Sequence, residues 1–221
     1  MIVVIDGPAG SGKSSTARAI AEQLHIQFLD SGALYRVATL IYLESLNNGT
    51  SFFDRLKESD ISFYFKNKNF HSFLNGEEVS DEIREMKVSN AVSKVASDPM
   101  VRSHINKLMR AEVETGVYIA DGRDLGTAVF PDAELKFFMV ADLHERAKRR
   151  LAEMETQGLD ASLEEIKSNL ESRDNADSNR ASDPLKQADD AILINTSELS
   201  FEEQVSQIAE RVRQKMPPNK Q

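Results

Sequence analysis

The stretch of sequence that decides the fold is Gly7-Pro8-Ala9-Gly10-Ser11-Gly12-Lys13-Ser14, which fits the pattern G-x-x-x-x-G-K-[ST] at every position. It follows the apolar, β-branched run Ile2-Val3-Val4-Ile5, which is typical of a buried parallel strand. It opens a segment, residues 14–24, whose apolar residues have helical spacing. In this strand–loop–helix context the pattern predicts a loop whose backbone N–H groups, together with the helix N-terminus, surround the phosphates of a nucleotide.

Two side chains of this loop carry chemistry. Lys13 is expected to bridge the β- and γ-phosphates, and the Ser14 hydroxyl to ligate Mg²⁺. A dinucleotide-binding loop is disfavoured because its glycine pattern, starting at Gly10, would need a glycine where Ser15 stands. The predicted ATP-binding residues are Gly7, Pro8, Ala9, Gly10, Ser11, Gly12, Lys13, Ser14 and Ser15.

Bulk composition limits the class of protein. The 221 residues suffice for one sizeable α/β core. With no cysteine, the chain has no disulfide, thiolate metal site or cysteine nucleophile. A net charge of −9 disfavours general nucleic-acid binding. The N-terminal apolar run is too short for a signal peptide, and no run has the length of a membrane span, so we expect a cytoplasmic protein.

Further apolar runs extend the α/β pattern. Runs at 26–30, 117–120, 135–140 and 191–194, with the N-terminal run, give five candidate strands separated by helical segments. This alternation predicts a parallel sheet with right-handed crossovers. Capping-box pairs that indicate helix starts are Asp142/Glu145, Ser162/Glu165 and Ser200/Glu203.

Residues 61–79 depart from this alternation of strands and helices. Two short alternating strands, 61–65 and 70–74, precede the turn signal Asn75-Gly76. Local antiparallel strands inside an α/β chain predict a small inserted subdomain.

A phosphate loop alone does not separate a switch, a motor and a kinase. No Asn-Lys-x-Asp segment of the kind that reads guanine in GTPases is present, and an ABC-type ATPase would need a much longer chain. The small size and the arginine-rich later segments favour a kinase of a small metabolite.

Five segments, in order and at compatible spacing, resemble bacterial cytidylate kinases over essentially the whole chain. They are Asp6–Ser15 (DGPAGSGKSS), Leu29–Arg36 (LDSGALYR), Asp121–Thr127 (DGRDLGT), Val129–Ala133 (VFPDA) and Arg173–Arg180 (RDNADSNR). Residues 61–79 are similar to the three-stranded subdomain that longer members carry. The departures are mild: Leu125 and Ala128 stand where Ile or Met and Val are usual.

The resemblance implies an α/β P-loop kinase fold with a five-stranded parallel sheet flanked by helices, a small antiparallel β insert and a helical lid. We expect a single kinase domain over 1–221, with a core of about 1–32, 100–142 and 181–221. The monophosphate-binding region would span about 33–99, and the lid about 143–180.

The resemblance also implies roles for individual residues. The residues expected to contact the edge of the base are Ser93, Arg102 and Asp124. The residues expected near the α-phosphate are Ser31, Arg36 and Arg123. Near the ribose we expect Arg173 and Asp177, and near phosphate Arg180. The residues expected to be catalytic are Lys13, Arg123, Arg149, Arg150 and Arg180.

Asp124 has a chemical argument of its own. Cytosine presents an exocyclic amine where uracil presents a carbonyl, and a carboxylate accepts from the first but repels the second. A buried acceptor therefore disfavours the wrong base.

For other charged residues, a structural role is the alternative to a role in ligand binding. Arg173, Asp177 and Arg180 are at i, i+4 and i+7, which predicts one shared helical face that binds phosphate and ribose or else forms only exposed salt bridges. Asp121 ends a predicted strand and is the candidate for a carboxylate behind the Mg²⁺ ligands, or else a turn residue.

The helix that follows the fourth predicted strand carries Arg146, Arg149 and Arg150 at i, i+3 and i+4. A solvated basic face is the default interpretation. The resemblance implies lid arginines that close on ATP, with Arg149 or Arg150 favoured over Arg146.

The predicted reaction is in-line transfer of the γ-phosphoryl of Mg²⁺-ATP to CMP or dCMP, without a covalent intermediate. Uridylate or adenylate kinase activity and a nucleotide-binding module without turnover are the alternatives. ATP and CMP or dCMP are the expected small-molecule substrates of a monomer that binds neither nucleic acid nor membrane.

Overall fold

The computed structural model describes residues 1–156, 158 and 160–217. The strands in chain order are β1 (Ile2–Asp6), β2 (Gln27–Asp30), β3 (Ile61–Lys66), β4 (Asn69–Leu74), β5 (Glu77–Glu78), β6 (Tyr118–Gly122), β7 (Leu135–Val140) and β8 (Ile192–Asn195). The helices are α1 (Lys13–Leu24), α2 (Ser31–Asn48), α3 (Phe52–Glu58), α4 (Met86–Ala96), α5 (Pro99–Glu112), α6 (Leu143–Thr156), α7 (Leu163–Asn179) and α8 (Phe201–Lys215). A short 3₁₀ turn spans Glu82–Arg84 and a π-helical turn spans Leu125–Val129.

The central sheet has five parallel strands in the order β2-β6-β1-β7-β8, which confirms the sequence prediction. Val3, Val4 and Ile5 of β1 are fully buried because helices cover both faces of the sheet. β1, β2 and β6 run in the same direction, so Asp6, Asp30 and the residues that follow β6 meet at one edge. Ligands bind at this carboxyl edge in open α/β sheets.

All three helices begin where the sequence predicts, because α6, α7 and α8 start directly after Asp142, Ser162 and Ser200. Ser162 with Glu165 and Ser200 with Glu203 form complete capping boxes at α7 and α8. At α6 the predicted start is confirmed, but Asp142 and Glu145 bond to other residues rather than to each other. The Asp142 N–H donates to Ser197 Oγ at 2.9 Å, and Glu145 pairs instead with Lys148.

The predicted insert is a three-stranded antiparallel sheet in the order β3-β4-β5. It packs on the edge of the central sheet, where the Phe28 ring meets Phe65 and Phe70 edge to face, with ring centroids 5.5 and 5.9 Å apart. The insert therefore shares the main hydrophobic core.

Helices α6 and α7 have a small hydrophobic cluster of their own. Ala147, Ile166 and Leu170 are buried there, and among the described residues the one further buried member is Ala9 of the phosphate loop. The predicted lid, residues 143–180, therefore packs apart from the main core; residues 157 and 159 of it, and 218–221 of the last predicted core segment, lie outside the described residues. The division into core, monophosphate-binding region and lid stays a prediction.

No helix within the described ranges has the length and apolar character to cross a membrane.

Candidate active site

The phosphate loop, residues 7–15, needs glycine at two places. Gly7 has φ +148°, and a Cβ there would lie 2.0 Å from the Met139 carbonyl oxygen on the neighbouring strand. Gly12 has φ +93° and caps the N-terminus of α1. Because L side chains rarely adopt these conformations, only glycine lets β1 turn directly into α1 and leave the backbone N–H groups facing inward.

Lys13 is a buried cation held over this loop. Its Nζ donates to the Pro8 carbonyl oxygen at 2.7 Å, and only 4% of the residue is exposed. Burial, followed by repulsion from Arg123, lowers the pKa of Lys13 well below its usual value. An anionic ligand at the loop would restore the compensation that this charge lacks.

Ser14 and Asp121 lie together at the carboxyl edge of β6. The Ser14 hydroxyl donates to Asp121 Oδ2 at 2.5 Å, while the buried Oδ1 has no hydrogen-bond partner among the described residues. Burial and the nearby Asp30 carboxylate raise the pKa of Asp121 to about 7. A hydroxyl oxygen and an unsatisfied carboxylate oxygen are the hard donors that Mg²⁺ prefers.

The described residues contain no group of three metal-binding side chains. In kinases, Mg²⁺ is typically bound by one or two protein oxygens together with substrate phosphates and waters. The two oxygens at Ser14 and Asp121 therefore fit the ion, and their assignment to Mg²⁺ stays a prediction.

Two neighbouring cavities open at this edge of the sheet. The smaller, of about 290 Å³, lies against α2 and the residues after β6, and the larger, of about 760 Å³, lies against the phosphate loop. The residues that line both cavities are Ser14, Arg18, Arg36, Arg84, Arg123 and Arg173. The boundary between the two cavities is thus formed by Ser14, the candidate Mg²⁺ ligand, and by five arginines. Positive charge is expected at this position because it stabilises a negatively charged group that is transferred from one ligand to the other.

The structure brings the residues predicted for CMP binding to the smaller cavity. Those that line it are Ser31, Arg36, Ser93, Arg123, Asp124, Arg173, Asp177 and Arg180. Arg102 does not line the cavity, because its guanidinium lies behind Asp124 with 2% of the side chain exposed. Arg102 is therefore placed to hold Asp124 rather than to face a ligand.

Asp124 belongs to a group of charged residues that we call the Asp124 cluster, namely Arg102, Asp124, Arg180 and Asp183. Asp124 is 4% exposed, and its carboxylate accepts from Arg102 Nη2 on one oxygen and from Arg180 Nη2, at 2.5 Å, on the other. Burial raises the pKa of Asp124, and the two arginines oppose that rise. The cluster fixes a carboxylate that faces the cavity.

Arg180 does not share a helical face with Arg173 and Asp177, contrary to the prediction. α7 ends at Asn179, and Arg180 has extended backbone with φ −66° and ψ 145°. Its Nε donates to the main-chain oxygen of Asp183 at 2.6 Å. The chain leaves the helix here and the Arg180 guanidinium donates to Asp124; of the two cavities, Arg180 lines only the smaller.

Arg123 and Asp177 also line the smaller cavity. Arg123 Nε donates to Asp177 Oδ2 at 2.9 Å, an ion pair with both side chains about one fifth exposed. Beside it, Ser31 Oγ donates to the main-chain oxygen of Asp121 at 2.6 Å. On the opposite side, Arg36 donates to the Ile83 carbonyl oxygen at 3.0 Å.

The three α6 arginines differ in their surroundings. Arg146 is buried, and its Nη1 donates to the Ala9 carbonyl oxygen and to Asp174, so it braces the phosphate loop. Arg149 donates to the Thr196 carbonyl oxygen at 2.5 Å. Of the three, Arg149 and the half-exposed Arg150 line the larger cavity, and their contact with ATP stays a prediction.

Strand-end aspartates orient neighbouring loops, as their positions indicate. Asp6 accepts from the N–H groups of Leu125 and Gly126 at 2.9 and 2.7 Å, and Asp30 accepts from Ala33 at the start of α2. Asp6 thereby ties the beginning of the phosphate loop to the segment that carries Asp124. Burial raises the pKa of Asp6 to about 6 despite these two bonds.

Sequence reasoning missed Arg18, Arg84 and Asp183. Arg18 lies one helical turn after Ser14, and this i, i+4 spacing could have indicated it. Arg84 and Asp183 follow no motif, since a 3₁₀ turn and an irregular loop bring them to the site.

Comparison with known proteins gives a consistent result. A family model described as Cytidylate kinase matches residues 3–214. Cytidylate kinases from Actinobacillus succinogenes (41% identical; 94% of this chain, 96% of theirs), Carboxydothermus hydrogenoformans (39%; 97% and 98%) and a Geobacillus species (42%; 97% and 97%) are similar over nearly their full lengths.

Solved structures support the fold at a greater distance. Proteins from Eubacterium ventriosum (TM-score 0.56, 13% identical, covering 96% of this chain and 98% of theirs) and Thermus thermophilus (TM-score 0.53, 17% identical, 98% and 98%) share the architecture. The match of the family model across almost the entire sequence, with several relatives about 40% identical, confirms the resemblance carried by the five segments: this chain belongs to the cytidylate kinase family.

Proposed function

We propose that this protein is a transferase of pyrimidine nucleotide metabolism, an ATP-dependent cytidylate kinase that moves the γ-phosphoryl of ATP to CMP or dCMP and yields ADP and CDP or dCDP. Family membership and relatives named cytidylate kinase over nearly the whole chain support this activity. The observation that carries it is the buried Asp124 carboxylate in the smaller cavity, next to a larger cavity over the phosphate loop.

Asp124 gives the proposed preference for cytosine. Its ionised carboxylate accepts from the exocyclic amine of cytosine and would meet the lone pairs of the uracil carbonyl at the same position. Asp124 is 4% exposed, so a base that offers no donor forfeits a buried hydrogen bond beyond those that Arg102 and Arg180 already give. Ser93 lines the same cavity and is the second proposed contact with the base.

The rest of the smaller cavity suits a ribose and a phosphate. We assign Arg173 and Asp177 to the ribose side and Ser31, Arg36 and Arg123 to the α-phosphate. Arg36 and Arg123 also line the larger cavity, so a phosphate held by them would lie next to the donor's γ-phosphate.

The proposed chemistry is direct in-line transfer. A phosphate oxygen of CMP forms the new P–O bond as the bond from the γ-phosphorus to the ADP oxygen breaks. Lys13 and the arginines between the cavities stabilise the charge spread over the transferred group. Mg²⁺, held by Ser14 with Asp121 behind it, would neutralise phosphate charge when bound. A general base is not needed because a phosphate monoester is already largely ionised near neutral pH.

Closure of the monophosphate-binding region and the lid would complete this site. The arginines that line both cavities come from separate segments: Arg18 and Arg123 from the core, Arg36 and Arg84 from residues 33–99, and Arg173 from the lid. Binding of both substrates would therefore bring the core, the monophosphate-binding region and the lid together around the phosphates. This closure would exclude water that could hydrolyse ATP. Arg149 and Arg150 line the larger cavity and are the proposed lid contacts with the donor.

Turnover of the natural protein with a panel of acceptors tests the proposal. ADP release with Mg²⁺-ATP would be measured in parallel with CMP, dCMP, UMP, AMP and GMP. We expect strong turnover with CMP and dCMP and little with UMP, AMP or GMP. A preference for UMP or AMP would favour a different nucleotide kinase and remove the role assigned to Asp124. ATP binding without turnover of any acceptor would indicate a nucleotide-binding module. The monomeric state and the cytoplasmic location stay predictions.

A further inference from the structure

Asp183, in the loop after α7, holds both arginines that flank Asp124. Its carboxylate Oδ2 accepts from Arg102 Nε at 2.7 Å, and its main-chain oxygen accepts from Arg180 Nε at 2.6 Å. Each of those arginines in turn donates to one oxygen of Asp124. One residue thus fixes the two supports of the carboxylate that faces the smaller cavity.

Burial makes the Asp183–Arg102 contact costly to lose. The Arg102 side chain is 2% exposed, its guanidinium lies 5.5 Å from the centre of the Tyr35 ring, and Nη1 donates to the Ala96 carbonyl oxygen. The cluster contains two guanidinium groups and two carboxylates, so its formal charges balance. Without the Asp183 carboxylate, whose side chain is 35% exposed, the buried Arg102 would lose the protein acceptor of its Nε and one positive charge of the cluster would be left uncompensated.

The backbone at Asp183 is suited to this double contact. Its φ of +49° lies in the left-handed region, which aspartate adopts more readily than most residues. The turn is closed by the Leu185 N–H, which donates to the Asp177 carbonyl oxygen at 2.9 Å. The left-handed residue lets the carboxylate and the main-chain oxygen of one position reach two different arginines.

We propose that Asp183 is a positioning residue that determines specificity for the acceptor nucleotide. It acts through Arg102 and Arg180, which keep Asp124 ionised and fixed as the acceptor for the exocyclic amine of cytosine. This inference rests on the proposed function. CMP uses the Asp124 acceptor and UMP does not, so loss of the Asp183 carboxylate weakens CMP use more than UMP use.

Two substitutions separate the carboxylate from the fold. Asp183→Gly removes the side chain, while glycine accepts φ +49° without strain and keeps the main-chain oxygen for Arg180. Asp183→Asn retains an uncharged acceptor, and asparagine also tolerates this conformation. The control is Asp189→Asn, which changes an exposed aspartate in the same loop.

Steady-state kinetics with CMP, UMP and ATP would be measured for all four proteins, together with thermal unfolding. For Asp183→Gly we expect KM for CMP to rise about tenfold and the CMP-to-UMP preference to fall about tenfold, the loss of one charge-assisted hydrogen bond. KM for ATP stays unchanged, Asp183→Asn is intermediate, and the control matches the natural protein.

An unchanged CMP-to-UMP preference in Asp183→Gly would overturn the inference while leaving the proposed function intact. Equal losses with CMP, UMP and ATP, accompanied by a lower Tm, would also overturn it, since that pattern indicates a structural role alone. Failure of the natural protein to use CMP would instead overturn the proposed function.

Discussion

The phosphate loop and the Asp124 cluster are built by opposite means. The loop is one contiguous run, residues 7–15, whose shape depends on glycine backbone conformations at Gly7 and Gly12. The cluster is made of side-chain ion pairs between distant positions, since Arg102 and Asp183 are 81 residues apart. A backbone site recognises any phosphate of the right geometry, whereas a buried carboxylate held by arginines recognises one pattern of donors. Phosphoryl transfer and base selection should therefore respond separately to substitution.

The largest expected effect is on the phosphate-loop side. Lys13→Ala removes the buried cation at the loop, and we expect kcat to fall about 10³-fold because transferred charge loses its main protein partner. The affinity for CMP, measured by calorimetry, should change little. The matched control is Lys215→Ala, an exposed lysine at the end of α8. A comparable loss of CMP affinity in Lys13→Ala would show that the two regions do not act separately.

A pH-dependent effect on stability is expected at Asp6, which links the phosphate loop to the segment that carries Asp124. Burial raises the pKa of Asp6 from 3.8 to about 6, so the folded protein holds this proton more tightly than the unfolded chain does. The contribution of Asp6 to the free energy of unfolding therefore falls by ~3 kcal/mol as pH rises from about 4 to about 6.

Denaturant unfolding of the natural protein and Asp6→Asn between pH 4 and 7 measures this contribution. Other carboxylates titrate in both proteins, so the difference between the two curves isolates Asp6. We expect that difference to decline with rising pH and to level above about pH 6. Parallel curves would contradict the raised pKa and the tight burial of this link.

A smaller effect is expected at the boundary between the two cavities. Arg84→Ala removes one of the five arginines that line both cavities, and we expect KM for CMP to rise about tenfold. Because Arg84 is exposed, Tm should stay the same. Arg213→Ala, an exposed arginine on α8, is the control. An unchanged KM for CMP in Arg84→Ala would show that Arg84 does not contact the substrate, and would leave that role to the other four arginines.

Features with local causes could be predicted from the sequence. The phosphate loop follows from its glycines and the strand before it, the parallel sheet from its apolar runs, and the insert from alternation ending at Asn75-Gly76. Arg149 and Arg150 line the larger cavity, and their contact with ATP stays a prediction.

Features that depend on where the chain turns could not be predicted. Helical spacing places Arg180 beside Arg173, but α7 ends one residue earlier and Arg180 points to Asp124 instead. Arg102 lies behind Asp124 because α5 packs there, a contact that no spacing encodes. Asp183 contacts both arginines because its own backbone is left-handed, in an irregular loop. These are long-range side-chain contacts, and sequence patterns report mainly short-range ones.

We propose that the buried Asp124 carboxylate selects the base while the phosphate loop performs the transfer. The decisive variant is Asp124→Asn, with kcat/KM measured for CMP and UMP and with Asp132→Asn, an exposed aspartate eight residues further on, as control. We predict that kcat/KM for CMP falls about 10²-fold, that UMP use stays level or improves, and that kcat at saturating CMP is largely kept. Equal losses with CMP and UMP, or an unchanged preference for CMP, would contradict the account.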